Sequence, residues 1–248
     1  MQTRKALMLS TAAIALTMTA PSAHAASSYV SLFGGASILD NPGLKGVVAT
    51  HSTTYQFQST TSVDTKFKTG YVLGGNWGVD WGTFRTELEL AFHQNKSGST
   101  AHVTTHYMYG YVGHAGYPYT LASRDVHVPA DLTLRAYSLM ANAWYDFHDL
   151  DLPGGFTPYI GGGVGGAQVQ LSGRLDSIKL YEKNQFVFAW QLGAGASVPV
   201  TDDLKLYVDY RYFAADGANL KIEPGFHGGG IKADFNSHNV LVGLRLSL

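Results

Sequence analysis

Apolar and polar residues alternate with a period of two along eight separate segments of the chain, and this period is typical of β-strands. In the clearest segment, one parity carries Phe84, Thr86, Leu88, Leu90 and Phe92. The other parity carries Arg85, Glu87, Glu89 and Ala91. The eight predicted strands are 29–38, 67–80, 83–94, 132–147, 157–170, 185–198, 204–213 and 235–248. The pattern therefore predicts an all-β protein.

The apolar faces of these strands favour a membrane protein over a water-soluble sandwich. After residue 25, the chain has no run of the ~18 apolar residues that a membrane-spanning helix needs. A closed barrel is the other structure that satisfies every backbone polar group in hydrocarbon. Aromatic residues, which are enriched at membrane interfaces, lie toward the strand ends at Tyr71, Trp77, Trp81, Tyr145, Phe147, Tyr210 and Tyr212.

The connections between the predicted strands alternate in length. The short connections are 81–82, 148–156 and 199–203. The long connections are 39–66, 95–131, 171–184 and 214–234. Bacterial outer-membrane barrels have an even number of strands, short periplasmic turns and longer external loops. The sequence therefore predicts an eight-stranded antiparallel transmembrane β-barrel with short periplasmic turns and four long external loops.

The first 25 residues have the pattern of a secretory signal peptide. Arg4 and Lys5 precede a run of apolar and small residues, and Ala-His-Ala then precedes the expected cleavage point after Ala25. The expected domains are a signal peptide, 1–25, and an outer-membrane barrel, 26–248. The leader contains two of the 17 Lys and Arg residues and none of the 18 Asp and Glu residues, so the mature chain carries a net charge of −3. Cysteine is absent, which excludes disulfides and thiolate chemistry.

Several strand motifs resemble one family. The stretch TPYIGGGVGGA at Thr157–Ala167 is similar to the Pro-Tyr-x-Gly-x-Gly-x-Gly strand of small outer-membrane barrels, the OmpA-like and opacity or surface-antigen group of Gram-negative bacteria. The supporting motifs, in the expected order, are ELELAF, LMANAWYDF, WQLGAGA, YVDYRYF and the C-terminal strand. The resemblance implies an eight-stranded barrel in the outer membrane. It does not imply a single activity, because the family includes structural, adhesive and immune-evasive surface proteins.

Six charged residues occupy the parity opposite the apolar face and are predicted to point into the barrel. They are Arg85, Glu87, Glu89, Asp209, Arg211 and Arg245. An unpaired buried charge is very costly, so these side chains are expected to form a hydrogen-bonded network. The network has two interpretations. It is either a plug that fixes the strand register and fills the lumen, or a gate across a narrow water path.

The second long connection is rich in histidine and tyrosine and is a candidate binding loop. Its candidate residues are His102, His106, Tyr107, Tyr109, Tyr111, His114, Tyr117, Tyr119 and His127. Tyrosine provides a large contact area at low entropic cost, whereas the alternative is a polar extension of the strands above the membrane. No nearby carboxylate or cysteine completes a metal-ligand set in the sequence, so neither a metal nor a cofactor is predicted.

Two further features have weak catalytic interpretations. The glycine run 161–166 lacks the Lys-Ser/Thr of a phosphate-binding loop, and its inward glycines are expected to make room for bulky neighbours. Ser237, His238 and His227 are the best candidates for a lipid-modifying enzyme. However, consecutive strand residues point to opposite faces, so Ser237 and His238 are not expected to be partners. No enzymatic activity is predicted.

Together, these patterns predict a surface protein of the outer membrane with a structural, adhesive or host-interaction role. The alternatives are a narrow-pore channel and, less favoured, a lipid-modifying enzyme. The expected partners are outer-membrane lipid or lipopolysaccharide, the outer-membrane insertion machinery, and host or cell-surface ligands that contact the external loops. The sequence shows no basic patch of the kind that binds nucleic acid.

Overall fold

The computed structural model describes residues 26–40, 44–51, 55–111, 119–150, 152–175, 178–221 and 230–248. Its strands are β1 (Ser27–Leu39), β2 (Leu44–His51), β3 (Tyr55–Phe67), β4 (Gly70–Asp80), β5 (Phe84–Tyr111), β6 (Tyr119–Asp146), β7 (Thr157–Leu175), β8 (Ile178–Pro199), β9 (Leu204–Lys221) and β10 (Gly230–Ser247). A short 3-10 turn covers Pro153–Gly155. Among the described residues, no helix is long and apolar enough to span a membrane.

Eight of these strands form a closed antiparallel ring. Pairing runs from β1 to β4 to β5 and then in chain order to β10. The ring closes because β10 also pairs with β1, from Tyr29 opposite Ser247 to Leu39 opposite Ser237. This arrangement confirms the predicted eight-stranded antiparallel barrel. We call the end with the short connections the turn end and the opposite end the hairpin end.

Strands β2 and β3 continue the barrel wall at the hairpin end. Ser37 of β1 pairs with Gly70 of β4, and Leu44 of β2 pairs with Val63 of β3, so both pairs belong to one hairpin in one register. β2 also pairs with β10, and β3 pairs with β5. Thus β2 and β3 are the outward extensions of β1 and β4.

Within the long connection predicted over 95–131, residues 95–111 and 119–131 lengthen β5 and β6. The alternative of a polar extension of the strands therefore agrees with the structure, and the strand bounds predicted from the hydrophobic pattern were too short. Each of these strands has 28 residues, which corresponds to roughly 90 Å along the strand at about 3.3 Å per residue. The hydrocarbon core of a bilayer is only ~30 Å thick. The segment contains many β-branched and aromatic residues, which favour strands. Its outward face is polar, and its inward face mixes polar residues with Ala101 and Val103, so the regular alternation used for prediction is absent.

The outward faces within the ring are strongly apolar. Leu32, Leu90 and Phe186 are 74%, 65% and 73% exposed, whereas Arg85 and Glu89 are 1% and 2% exposed. In a water-soluble protein these proportions would be reversed, because large apolar side chains and not charges occupy the interior. The barrel is therefore apolar outside and contains charge inside, as expected of a barrel surrounded by lipid.

Two belts of aromatic rings border the apolar band. The inner belt, near the turn end, includes Phe84, Tyr145 and Phe147. The ring centroid of Tyr145 is 5.0 Å from that of Phe84 and 4.9 Å from that of Phe147. The outer belt comprises Tyr71, Phe92 and Tyr137, with centroids 6.0 Å and 4.8 Å apart. Phe84 and Phe92 are on one strand, and their separation is about 26 Å along it. Because barrel strands are tilted by about 35–45°, the two belts are separated by a height of about 20 Å, which is comparable with the ~25 Å apolar band of membrane barrels.

Candidate functional site

The interior nearest the turn end is filled by ion pairs and their hydrogen-bond partners, which we call the polar plug. Arg85 of β5 contacts Asp146 of β6 through two hydrogen bonds, Nε to Oδ2 at 2.5 Å and Nη2 to Oδ1 at 2.9 Å. The same guanidinium donates from Nη1 to Glu87 Oε1 at 3.0 Å. All three side chains are buried, and the bidentate pair fixes β5 against β6.

The second half of the polar plug is centred on Arg211 of β9. Its guanidinium bonds to Asp209 Oδ2, with Nη2 at 2.8 Å, and it also pairs with Glu89 of β5. Asn142 and Gln191 each donate to Glu89 at 3.1 Å. These residues lie on β5, β6, β8 and β9. Tyr29 of β1 and Asn76 of β4 donate to Glu87 at 2.6 Å and 3.0 Å, and Tyr159 of β7 donates to Asp209 at 3.1 Å. The polar plug therefore joins seven strands.

Arg245 of β10 lies beside this network in a different environment. Its guanidinium carbon is 5.1 Å from the ring centroid of Tyr29 and 5.4 Å from that of Tyr207. Its Nε is buried and has no hydrogen-bond partner in the described part of the chain. The structure thus brings together five of the six charged residues singled out from the sequence, and it places Arg245 against aromatic rings.

Several members of the polar plug were missed by the sequence analysis. Asp146 is the principal one, and it lies at the end of β6, where an aspartate is readily taken for a turn residue. Its position could have been predicted from the alternation of β6, because Asp146 lies an even number of residues from Asn142 and Trp144 and so shares their inward face. The other missed members are Tyr29, Asn76, Tyr159 and Gln191.

The inward glycines of β7 accommodate the bulky residues of β6, as the sequence predicted. Gly161 pairs with Trp144, and Gly163 pairs with Asn142. A Cβ atom on Gly161 would lie 2.7 Å from the Trp144 ring, and one on Gly163 would overlap the Asn142 amide. The glycine run therefore provides space for polar-plug side chains.

Toward the hairpin end, the lumen contains a layer of mainly apolar side chains, beside which Ser37, Asn95 and Ser237 are also buried. This apolar layer comprises Leu39, Val63, Ala101, Ala130, Leu132, Leu134, Ala136, Met140, Ala167, Val169, Leu171, Val187, Ala189, Phe213, Ala215 and Phe235. The sequence analysis singled out only charged residues and glycines for the interior and did not identify this layer, which fits in the lumen because an eight-stranded barrel is narrow enough for side chains to fill it. His93 lies in the layer with its ring 4.9 Å from Phe213 and 5.6 Å from Phe235.

The candidate binding residues lie mainly on the extension of β5 and β6. His102 pairs with His127, and their ring centroids are 4.8 Å apart. His102 Nε2 is 4.0 Å from Asp125 Oδ1, and Thr104 donates to the same oxygen at 2.6 Å. His106 is exposed. Among the described residues, no group of three or more His, Asp or Glu side chains is placed to hold a metal.

The tyrosines of this segment are described unevenly. Tyr107 is half-buried on β5. The backbones of Tyr109 and Tyr119 pair with each other, and that of Tyr111 pairs with Tyr55 of β3. Candidates His114 and Tyr117 lie outside the described residues, as do the predicted signal peptide 1–25 and His227.

The candidate catalytic pair is separated by the barrel wall. Ser237 is fully buried and accepts a hydrogen bond from Asn239 Nδ2 at 3.1 Å. His238 lies on the opposite face, where its Nδ1 is 2.5 Å from the Tyr210 hydroxyl. This geometry gives the serine no contact with the histidine.

Comparison with known proteins identifies the family of this barrel. The sequence profile of the surface antigen family matches residues 41–232. The chain belongs to the surface antigen family. The outer membrane protein PagN of Salmonella typhimurium is 36% identical over 102 residues, which cover 38% of this chain and 41% of PagN. The 25 kDa outer-membrane immunogenic protein of Brucella ovis is 31% identical over 106 residues, which cover 42% of this chain and 46% of that protein.

A solved structure supports the same fold. OprG from Pseudomonas aeruginosa aligns with a TM-score of 0.50 at 14% identity, over 91% of this chain and 97% of OprG. The alignments with the two curated relatives cover less than half of each relative's length. The family match and the outer-membrane relatives identify this chain as an outer-membrane surface protein. The predicted family, location and general role as a surface protein are therefore confirmed. The turn end is then periplasmic and the hairpin end extracellular.

Proposed function

We propose that this surface antigen protein binds a host or cell-surface ligand through its β5–β6 hairpin, the paired residues from Thr100–Pro129 to Tyr109–Tyr119. The observation that carries the proposal is the length of the hairpin. Tyr109 lies 17 residues beyond Phe92 of the outer belt, which is roughly 55 Å along the strand. The hairpin therefore presents its side chains far from the lipid surface.

Pairing across the extension supports a binding role. β5 is flanked by β3 on one side and by β6 on the other. A paired sheet loses less conformational entropy on binding than a flexible loop does. The described outward side chains are polar and include His102, His106, Asp125 and His127, which suits a hydrogen-bonding ligand such as a carbohydrate or a polar protein surface.

A truncation tests this proposal. Replacing residues 104–125 with Asn-Gly joins Val103 to Val126, which are paired neighbours, through a turn that favours hairpins. The mature protein in lipid nanodiscs is incubated with cultured epithelial cells, and bound protein is quantified. We expect the truncation to lower cell binding at least tenfold.

The matched control shortens a different extracellular hairpin. Replacing residues 172–182 with Asn-Gly joins Leu171 to Lys183, which pair across β7 and β8. Both variants must retain the gel shift between unheated and boiled samples that marks a folded barrel. Equal binding by the truncation and the unaltered protein, or equal loss in the control, would place the ligand site elsewhere.

The barrel beneath the hairpin is proposed to act as a closed anchor and not as a channel or an enzyme. The polar plug and the apolar layer lie in series in the lumen, and an apolar layer opposes the passage of water and ions. The opposite orientations of Ser237 and His238 support a non-catalytic role. We expect Ser237→Ala to leave the lipid composition of the outer membrane unchanged, as measured by mass spectrometry, whereas a change would indicate catalysis.

A further inference from the structure

Two histidines lie side by side on the outward face of the β5–β6 hairpin. His102 of β5 pairs in register with His127 of β6, and their ring centroids are 4.8 Å apart. Residues directly opposite each other on one face of an antiparallel pair have Cβ atoms about 5 Å apart. At that spacing, the two imidazole rings can turn one nitrogen each toward a common point.

A carboxylate lies within reach of the same point. Asp125 is two residues from His127 on the same face of β6, and its Oδ1 is 4.0 Å from His102 Nε2. Thr104 pairs in register with Asp125 and donates a hydrogen bond to the same oxygen at 2.6 Å. Carboxylates that bind metals are commonly oriented by such hydrogen bonds from neighbouring groups. We call His102, His127 and Asp125 the histidine cluster.

A second carboxylate borders the cluster on the other side of β5. Asp64 of β3 lies directly opposite His102, so it shares the outward face, and it is exposed. Its negative charge favours a cation bound next to it. Both carboxylates approach His102 only when three strands are in register, so spacing along the sequence did not reveal this arrangement.

The side chains of the histidine cluster need only torsional adjustment to bind a metal ion. As they are placed, the described His, Asp and Glu side chains form no complete coordination sphere. Zinc bonds of about 2.0–2.1 Å set the donor atoms of a tetrahedral site roughly 3.4 Å apart. His102 Nε2 and Asp125 Oδ1, at 4.0 Å, are already close to that separation. Their side chains are 41% and 59% exposed, so close packing does not prevent the rotation.

We propose that the histidine cluster binds Zn²⁺ through the imidazoles of His102 and His127 and the carboxylate of Asp125, with water as the fourth ligand. Imidazole nitrogen and carboxylate oxygen are both zinc ligands, whereas Mg²⁺ and Ca²⁺ prefer sites made entirely of oxygen atoms. The ion is accessible from solution, because His102 is ten residues beyond Phe92 of the outer belt, roughly 33 Å along the strand. The inference does not depend on which host or cell-surface ligand the hairpin binds.

Isothermal titration calorimetry tests the proposal with a protein of residues 26–248, refolded in detergent and carrying no histidine tag. The probes are Zn²⁺ and Mg²⁺. We expect Zn²⁺ to bind at least about a hundredfold more tightly than Mg²⁺, because imidazole is a ligand for zinc and not for magnesium. H102Q, H127Q and D125N should each weaken zinc binding by at least about tenfold, which is the loss caused even by removing an outer-shell partner. T104V should weaken it severalfold, because the hydrogen bond that orients Asp125 is lost.

The matched control is H106Q. His106 is exposed on the same face of β5, four residues farther out, but it pairs with Thr60 and Ser123 and so has no opposing histidine or carboxylate. This variant should bind Zn²⁺ within about twofold of the unaltered protein, as expected of a surface substitution outside the site. Every variant must retain the gel shift between unheated and boiled samples.

Three results would overturn the proposal. The first is unchanged zinc affinity in H102Q and H127Q, which would place the bound ion elsewhere. The second is an equal loss in H106Q, which would indicate nonspecific binding to surface histidines. The third is no zinc binding by the unaltered protein, which would leave His102 and Asp125 as a surface ion pair only.

Discussion

The carboxylate of Glu87, 6% exposed inside the barrel, receives four hydrogen bonds. Tyr29 and Arg85 donate to Oε1 at 2.6 Å and 3.0 Å, while Asn76 and Trp144 donate to Oε2 at 3.0 Å and 2.9 Å. A carboxylate has about four acceptor sites, so Glu87 is fully satisfied. Because all its acceptor sites are hydrogen-bonded, the Glu87 carboxylate can remain charged in a narrow lumen.

Removing the charge of Asp146 tests the dependence of the barrel on these ion pairs. Asp146→Asn leaves Arg85 with Glu87 as its nearest anion, and breaking a buried pair typically costs about 3 kcal/mol or more. Urea unfolding in lipid vesicles should show a loss of free energy of unfolding of that order. Asp203→Asn, in an exposed turn, should change it by less than about 0.5 kcal/mol. Comparable losses in both variants would refute a specific role for the pair.

Parity in the sequence was sufficient to place Arg85, Glu87, Glu89, Asp209 and Arg211 inside the barrel, but it did not identify their partners. Pairing depends on the stagger between strands, which a single sequence does not contain.

Strand β5 shows what could be predicted at the level of an element. Its first half alternates between lipid and lumen, so the prediction of a strand from residue 83 to residue 94 agrees with the structure. Beyond Gln94, no lipid covers the outer face, and the alternation of apolar and polar residues disappears. Backbone pairing then sustains the strand to Tyr111, and pairing has no signature in the hydrophobic pattern.

Strands β8 and β9 separate toward the extracellular side, which predicts a local difference in stability. Among the described residues, their pairing ends at Ala189 opposite Ala215, although β8 pairs with β7 as far as Ile178. Amide hydrogen exchange should therefore alternate along 178–188, with fast exchange at N–H groups that point toward β9 and slow exchange at those that point toward β7. Uniform protection along 178–188 would show that β8 remains paired with β9 over this segment and would contradict the prediction.

At the scale of the whole molecule, the polar plug connects segments that are far apart in the chain. Gln191 and Glu89 are separated by 102 residues, and Arg211 and Glu89 by 122 residues. These contacts form only when the ring has closed in one register. The polar plug therefore fixes the register of the strands, which the apolar faces alone would specify only weakly.

The same lumen predicts an absence of ion conduction. A protein of residues 26–248, refolded and inserted into planar bilayers, should give no discrete current steps, because the apolar layer lies in series with the polar plug. Protease protection of the strands in vesicles made from the same preparation serves as the control for insertion. Reproducible current steps would favour the narrow-pore alternative over the closed anchor.

The central claim is that the apolar faces of the strands contact lipid and the charged faces meet inside. The chain has no cysteine, so single cysteines can be introduced at each position from 84 to 92 of β5 and spin-labelled in lipid vesicles. We expect collision rates with dissolved oxygen, which concentrates in the bilayer, to be high at even positions and low at odd positions. High accessibility of the even positions to a water-soluble paramagnetic reagent, or no alternation, would contradict the account.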